Sequence, residues 1–355
     1  MELTAANYQV VFGAEAYANL TDLIKQKAYS KVFIITDDIV NEHCVSYFLQ
    51  QLVVEVPFEI IEIESGETQK NIESCVQLWS ILTELEADRK ALVINIGGGM
   101  ITDLGGFVAA TYKRGVDFVN IPTSLLAMVD ASVGGKNGVN LASLKNMVGT
   151  FTHPKLVVVD VSYLETLPGN QMRSGLAEMY KHGLIADASY WEQLKNLDQL
   201  TTNDLELLIY HSVSIKNEIV LQDPEEKNVR KLLNFGHTLG HVIESYCLEN
   251  SHFPTLLHGE AIAVGMILEA YISYKKGLLT KNLYTEIKET LNLMYKPIVF
   301  NENDIEICSS LLIHDKKNEN GKIRFTLLED IGKGIIDQTV ESHFIKEAFD
   351  DYMNR

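Results

Sequence analysis

Basic residues are in short supply: 30 Lys and Arg stand against 48 Asp and Glu, a formal net charge of −18 over 355 residues. Proteins that grip nucleic acid or anionic lipid need an excess of cations facing phosphate, so neither is expected as a partner and small molecules or other proteins are. Cysteine is scarce too. Cys44, Cys75, Cys247 and Cys308 are far apart, form no CxxC pair and sit in apolar-patterned segments, which reads as buried thiols and not as disulfides or a metal cluster. Long hydrophobic runs are missing. Met1-Glu2-Leu3-Thr4 has no basic flank or apolar core, and the run after Gly259 is broken by Glu260 and Glu269, so neither a signal peptide nor a membrane span is expected and the reading is cytoplasmic. Internal repeats, low-complexity tracts and long charge blocks are also absent. What is present is an ordinary 46% hydrophobic content on a chain longer than one core usually serves, which predicts two domains.

The pattern changes along the chain. Segments 31–36, 58–62, 91–96, 118–121 and 155–160 are short β-branched runs, with amphipathic stretches between several of them. That alternation predicts a parallel sheet covered on both faces. Leu167-Pro168-Gly169-Asn170 then interrupts the chain, and 171–186, 202–222, 234–247, 258–277 and 280–292 read as helices. A last hairpin is expected around Asn318-Glu319-Asn320-Gly321, followed by a strand over 322–328. The prediction is an α/β Rossmann-like domain over 1–168 and a mostly α-helical domain over 169–355, with a ligand cleft between them.

Three constellations carry chemistry. Gly97-Gly98-Gly99-Met100-Ile101-Thr102-Asp103 follows a strand and opens a helix, where glycine admits a diphosphate close to free N–H groups; the competing reading is a tight turn. Asn234-Phe235-Gly236-His237-Thr238-Leu239-Gly240-His241, followed by His258-Gly259-Glu260, puts three histidines within 22 residues. His237 and His241 share one helical face, which suits two ligands of one metal, or one ligand and one substrate contact; Glu178, among small apolar neighbours, is a candidate carboxylate ligand. Finally, cations are scattered among small residues at Lys113-Arg114-Gly115, Gly134-Gly135-Lys136, Lys145-Asn146, Lys181, Lys216, Arg230 and Lys316-Lys317. Singly each is a surface group, but together they suit a substrate carrying phosphate and carboxylate. Residues 97–181 hold seven basic and six acidic side chains, so the excess acid lies elsewhere in the chain.

The glycine motif, Gly106–Tyr112, Ile121–Asp130, Ser132–Lys136, Lys145-Asn146, Gly175–Lys181, Leu233–Thr238 and His258-Gly259-Glu260 resemble, in this order, the 3-dehydroquinate synthase family. The resemblance implies a Rossmann-like domain joined to a helical one. It implies conversion of 3-deoxy-D-arabino-heptulosonate 7-phosphate to 3-dehydroquinate and phosphate in the shikimate pathway. Bound NAD that is not consumed, one divalent metal (zinc first, cobalt as an alternative) and a homodimer are implied as well.

Carried over by motif, Glu178, His237 and His258 are the metal ligands, and His241 passes to the substrate. NAD contacts fall on Gly98, Gly99, Asp103, Thr123, Ser124, Lys136, Lys145 and Thr166, with Glu67 and Lys70. Asp37 stands where a ribose-binding carboxylate belongs. Substrate positions are Arg114, Asp130, Lys136, Asn146, Lys181, Lys216, Arg230, Asn234, His241 and one of Lys316 and Lys317. Glu226 matches a carboxylate assigned acid or base work, and the catalytic set is Lys136, Lys181, Glu226, Arg230, Asn234 and His241. Asn137, where the family commonly has threonine, reads as a tolerated neighbour change. The alternatives are another sugar-phosphate cyclase, a metal-dependent alcohol or glycerol dehydrogenase of the same fold, and a scaffold module without turnover.

Overall fold

The computed structural model describes residues 1–142, 144–197, 201–313 and 323–354. Lys316, Lys317 and the turn expected at Asn318–Gly321 lie outside the described residues. The chain divides into two compact units, Met1–Pro168 with Leu200–Asn217, and Gly169–Gln199 with Glu218–Arg355.

The first unit is built on a seven-stranded sheet of β1 (Glu2–Thr4), β2 (Gln9–Phe12), β3 (Val32–Asp37), β4 (Phe58–Ile63), β5 (Leu92–Gly97), β6 (Asp117–Pro122) and β9 (Leu156–Val159). Its order is β1-β2-β9-β6-β5-β3-β4. Every pairing is parallel except β1 with β2. All residues of β3, β5 and β9 are buried, which is why their sequences are mostly continuous apolar runs and not alternating ones, interrupted by Asn95 in β5 and by Thr36 and Asp37 at the end of β3. From β3 the chain goes outward to β4 and then crosses back to β5 on the other side. The carboxyl ends of β3 and β5, at Asp37 and Gly97, therefore flank the point where the winding reverses, the usual place for a ligand in such sheets. Residues of the helix Thr202–Gln222 also belong to this unit: Tyr210 packs edge-on against Phe12 and Asn217 donates to the Thr4 carbonyl.

Helix Gly99–Thr111 follows β5 and is buried on most of its circumference. At Gly106 a Cβ would fall 2.0 Å from Asn137 Oδ1, so only glycine lets the helix approach the ribbon of β7 (Lys136–Leu141) and β8 (Leu144–Phe151). Asn137 itself is buried and donates to the Gly135 and Thr152 carbonyls. It is a packed tie within the ribbon.

In the second unit, helix His258–Lys275 is buried almost all round and packs against helices Gly169–Ala186 and His237–Glu249. The glutamates that interrupt its apolar sequence both work: Glu260 accepts from the Leu257 N–H at the helix start, and Glu269 reaches the neighbouring helix. The expected last strand is found as β10 (Arg324–Asp330), but its partner β11 (Lys333–Thr339) follows it, across a turn with Gly332 at φ 81°. Among the described residues no helix is long and apolar enough to cross a membrane.

Candidate active site

In the first unit, the loop after β5 passes directly into helix Gly99–Thr111, whose first turn has no side-chain cap. Its N–H groups are thus left to a ligand or water. A Cβ on Gly98 would lie 3.4 Å from Ser124 Oγ, and the Thr123 N–H donates to the Gly97 carbonyl, so the loops after β5 and β6 are in contact. This is a glycine cradle of the kind a diphosphate fits. Asp37, at the end of β3, uses Oδ1 to accept from the Val40 N–H at 2.9 Å. Burial raises its carboxyl pKa above the ordinary value, against the lowering effect of that N–H.

The expected cofactor residues Lys70 and Asp103 and the expected substrate residue Asn146 form a second cluster in this unit. Lys70, 4% exposed, donates to Asp103 at 2.6 Å and to Asn146 at 2.7 Å. Glu67 accepts from Asn140 at 3.0 Å, while Asn140 Oδ1 accepts from the Asn146 N–H and the Asn140 N–H donates to the Lys70 carbonyl. Asn140 thus laces the ribbon to the turn at 67–70. Nothing in the sequence marked it, because one Asn in a polar strand has no distinguishing pattern. Lys216 donates to the side chain of Asp130 at 2.6 Å, joining two expected substrate residues. Lys136 opens β7 and is exposed, Lys145 is half-buried on β8, and the Thr166 hydroxyl donates to the Tyr163 carbonyl. Arg114 is exposed at φ 72° between Lys113 at φ 48° and Gly115 at φ 108°, and Asn146 is at φ 52°. Left-handed backbone on such side chains is costly and concentrates at ligand sites.

The second unit holds the donor group. Glu178, on helix Gly169–Ala186, is fully buried, and its Oε2 accepts from Lys181 one turn on. Its Oε1 accepts no hydrogen bond from the described residues and lies 3.5 Å from His237 Nε2 and 3.8 Å from His258 Nε2. The His237 Nδ1 is 3.0 Å from the Phe235 carbonyl. A carbonyl can only accept, so that ring carries a proton on Nδ1, and in the neutral imidazole the Nε2 lone pair faces the carboxylate. In His258 the corresponding partner of Nδ1 is Glu244. Lone pairs on two imidazoles and a carboxylate oxygen converging at this range repel unless a cation stands among them. The residues therefore fit a divalent metal. His241 belongs to the same group, since the donor atoms of His237, His241 and His258 all lie within 4.8 Å of one another.

Two features set the position of His237, an expected ligand. Gly236, at φ 77°, turns the chain into helix His237–Glu249, and a Cβ there would fall 2.5 Å from Met266 Cγ. Glu269, fully buried on the neighbouring helix, accepts from the Gly236 N–H at 2.6 Å and the Leu239 N–H at 3.0 Å. A carboxylate thus replaces the missing cap where His237 begins its helix.

The loop before that helix gathers the remaining expected residues. Asn234 donates to Glu226 at 2.8 Å, Glu226 sits at φ 59°, and Arg230, 2% exposed, donates to the Pro224 carbonyl. Asp223 organises the loop by accepting from the backbone N–H groups of Lys227, Asn228 and Arg230. The sequence reading missed it; the Asp223-Pro224 pair, a common turn starter, was the available signal. Burial disfavours its charge, but those three N–H groups and the Arg230 guanidinium outweigh burial and hold the carboxyl below its ordinary pKa. A depressed carboxylate stabilises the fold above the unfolded value near pH ~4 and ceases to as pH falls toward the folded one. Melting temperatures across pH 2–7 should therefore show an acid-side loss that Asp223→Asn reduces, and the same variant should raise the substrate KM by about tenfold with metal content unchanged. An unchanged KM would remove Asp223 from the loop's positioning role.

Both halves of the chain match one family: the 3-dehydroquinate synthase N-terminal model over residues 60–174 and the C-terminal model over 175–318. A 3-dehydroquinate synthase of Parabacteroides distasonis is 39% identical over 350 residues, 97% of each chain. Among solved structures, a 2-deoxy-scyllo-inosose synthase complexed with carbaglucose-6-phosphate, NAD+ and Co2+ is 26% identical with a TM-score of 0.85, covering 99% of both chains. The 2-epi-5-epi-valiolone synthase of Streptomyces hygroscopicus subsp. jinggangensis, with NAD+ and Zn2+ bound, is 27% identical at a TM-score of 0.83, covering 99% of this chain and 98% of its own.

Proposed function

The chain belongs to the 3-dehydroquinate synthase family, and from that premise we propose how its residues divide the work of the reaction. The activity is the NAD- and metal-dependent conversion of 3-deoxy-D-arabino-heptulosonate 7-phosphate to 3-dehydroquinate and phosphate, a lyase step of the shikimate pathway. The observation that carries the residue assignment is the buried Glu178 oxygen faced by two imidazole nitrogens whose other ring atoms are already held.

When bound, NAD supplies a hydride acceptor restored within each turnover, and the divalent metal supplies a Lewis acid for substrate oxygens. Glu178, His237 and His258 hold the metal, zinc first and cobalt as the alternative. Lys181 occupies Glu178 Oε2 and so keeps Oε1 turned to the imidazoles. The Gly98 and Gly99 N–H groups receive the cofactor diphosphate, with Asp37, Glu67, Lys70, Asp103, Thr123, Ser124, Lys145 and Thr166 along the rest of it. Arg230, Asn234 and His241 hold the phosphate-bearing end of the substrate, where a dianion needs charged and donor groups together. Lys136 and Lys181 neutralise anionic oxygens; Arg114, Asp130, Asn146 and Lys216 complete the substrate set. Glu226, steadied by Asn234, is positioned for proton transfer.

The test supplies the heptulosonate phosphate with catalytic NAD and a divalent metal and follows phosphate and NADH together. Phosphate release without NADH accumulation, with 3-dehydroquinate as product, is expected. Stoichiometric NADH would replace this reading by a dehydrogenase, and a different carbocycle by another cyclase.

The working form is a homodimer in the cytoplasm. Leu141, Leu144, Met147, Val148 and Phe151 are all exposed on the β7·β8 ribbon, an apolar stretch that a second copy would cover. Sedimentation equilibrium should return twice the 39.8 kDa chain mass, and a monomer at micromolar concentration would refute the dimer. Compartment is read directly by fractionating cells, and recovery of the chain with membranes would refute a cytoplasmic enzyme.

A further inference from the structure

Helix His237–Glu249 carries His237, His241 and Glu244 at spacings of four and three, so all three lie along one stripe of it. The first two belong to the donor group; the third has no part in the reaction described above. Glu244 is 6% exposed, and its Oε2 lies 3.3 Å from His258 Nδ1. A buried carboxylate on one helix thus holds the ring of a ligand that the next helix contributes.

The two ligand histidines differ in how they are restrained. His237 is 11% exposed at its side chain and is tied to a backbone carbonyl two residues away, inside a turn fixed by Gly236 and Glu269. His258 is 27% exposed at its side chain, and its Nδ1 depends on a side chain from another helix. Its ring is the one with more freedom to swing away from Glu178.

We propose that Glu244 is a positioning residue for the metal, accepting the Nδ1 proton of His258 so that Nε2 carries the lone pair and points at Glu178 Oε1. An anionic acceptor on the far nitrogen also makes an imidazole a stronger donor. The proposal rests on His258 being a ligand.

Full-length protein stripped of metal by a chelator is titrated with Co2+ against a competing chromophoric chelator, and the visible absorption of bound Co2+ is recorded. Glu244→Gln, which keeps size and an acceptor oxygen but not the charge, should weaken Co2+ binding at least fivefold and shift the Co2+ bands. Glu244→Ala should weaken it further, by about 10- to 100-fold. In a His258→Ala background the same Gln substitution should change affinity less than twofold. The metal-free Glu244→Gln protein should melt with the wild type, and should it fold less well, the loss measured against that background still separates positioning from stability. A Glu244→Gln affinity within fivefold of wild type, or an equal loss in both backgrounds, overturns the proposal while leaving the ligands in place. A His258→Ala variant that binds Co2+ as well as wild type overturns the ligand assignment and the proposal together.

Discussion

His237→Ala is expected to leave a folded protein with no stoichiometric metal and with turnover lowered by roughly 10³-fold or more. Lewis-acid stabilisation of developing charge is worth several kcal/mol, and each 1.4 kcal/mol is tenfold in rate. His237 is the sharpest choice because its tautomer is fixed by a carbonyl and its Nε2 stands 3.5 Å from a carboxylate oxygen that accepts no hydrogen bond from the described residues. Folding should survive, since Gly236 and Leu239 keep their N–H partners on Glu269. His241→Ala is the control. It should retain the metal within about threefold in affinity and instead raise the substrate KM, because its proposed work is at the phosphate. Elemental analysis of the purified variants, beside phosphate-release kinetics, decides the matter. Full metal occupancy in His237→Ala would remove it from the ligand set. Loss of metal in His241→Ala would instead make the two histidines one helical turn apart the ligand pair.

That control matters because the sequence alone ranked the donors differently. Helical spacing favoured His237 with His241, whereas the resemblance favoured His237 with His258 and Glu178. The structure puts all four side chains in one group, so periodicity was right about the shared face and silent about the neighbouring helices. Glu178 was legible only as a carboxylate among small residues; its proximity to His237 comes from two helices far apart in the chain that both pack on helix His258–Lys275. The buried strands were legible for the opposite reason. β3, β5 and β9 are covered on both faces and their composition says so directly, while three-residue β1 and the exposed β8 carry too little pattern. Glu244 and Glu269 carried no sequence signal for their roles, and Asp223 only that of an Asp-Pro turn starter. Each is an acidic residue in a helix or loop, where a solvated side chain is the ordinary outcome, and only tertiary packing shows that each is buried and accepting hydrogen bonds.

Lys181→Met should produce two large effects of different origin. Lys181 is 1% exposed and its ammonium donates to a carboxylate that is 0% exposed. Methionine keeps much of the volume but leaves Glu178 buried without its cation, a change that typically costs about 3–5 kcal/mol. Metal-free Lys181→Met should therefore melt well below metal-free wild type. Loading the metal supplies a replacement cation beside Glu178, so the difference in melting temperature should shrink markedly once zinc or cobalt is added. Turnover should not recover with it. If Lys181 also neutralises anionic substrate oxygens, its removal should lower kcat by roughly 10²–10³-fold, as for the loss of one preorganised donor at a developing charge. The two readouts separate a structural counter-ion from a catalytic one. Recovery of both stability and rate on metal loading would confine Lys181 to holding Glu178, while loss of rate with stability restored by metal assigns it to the substrate as well.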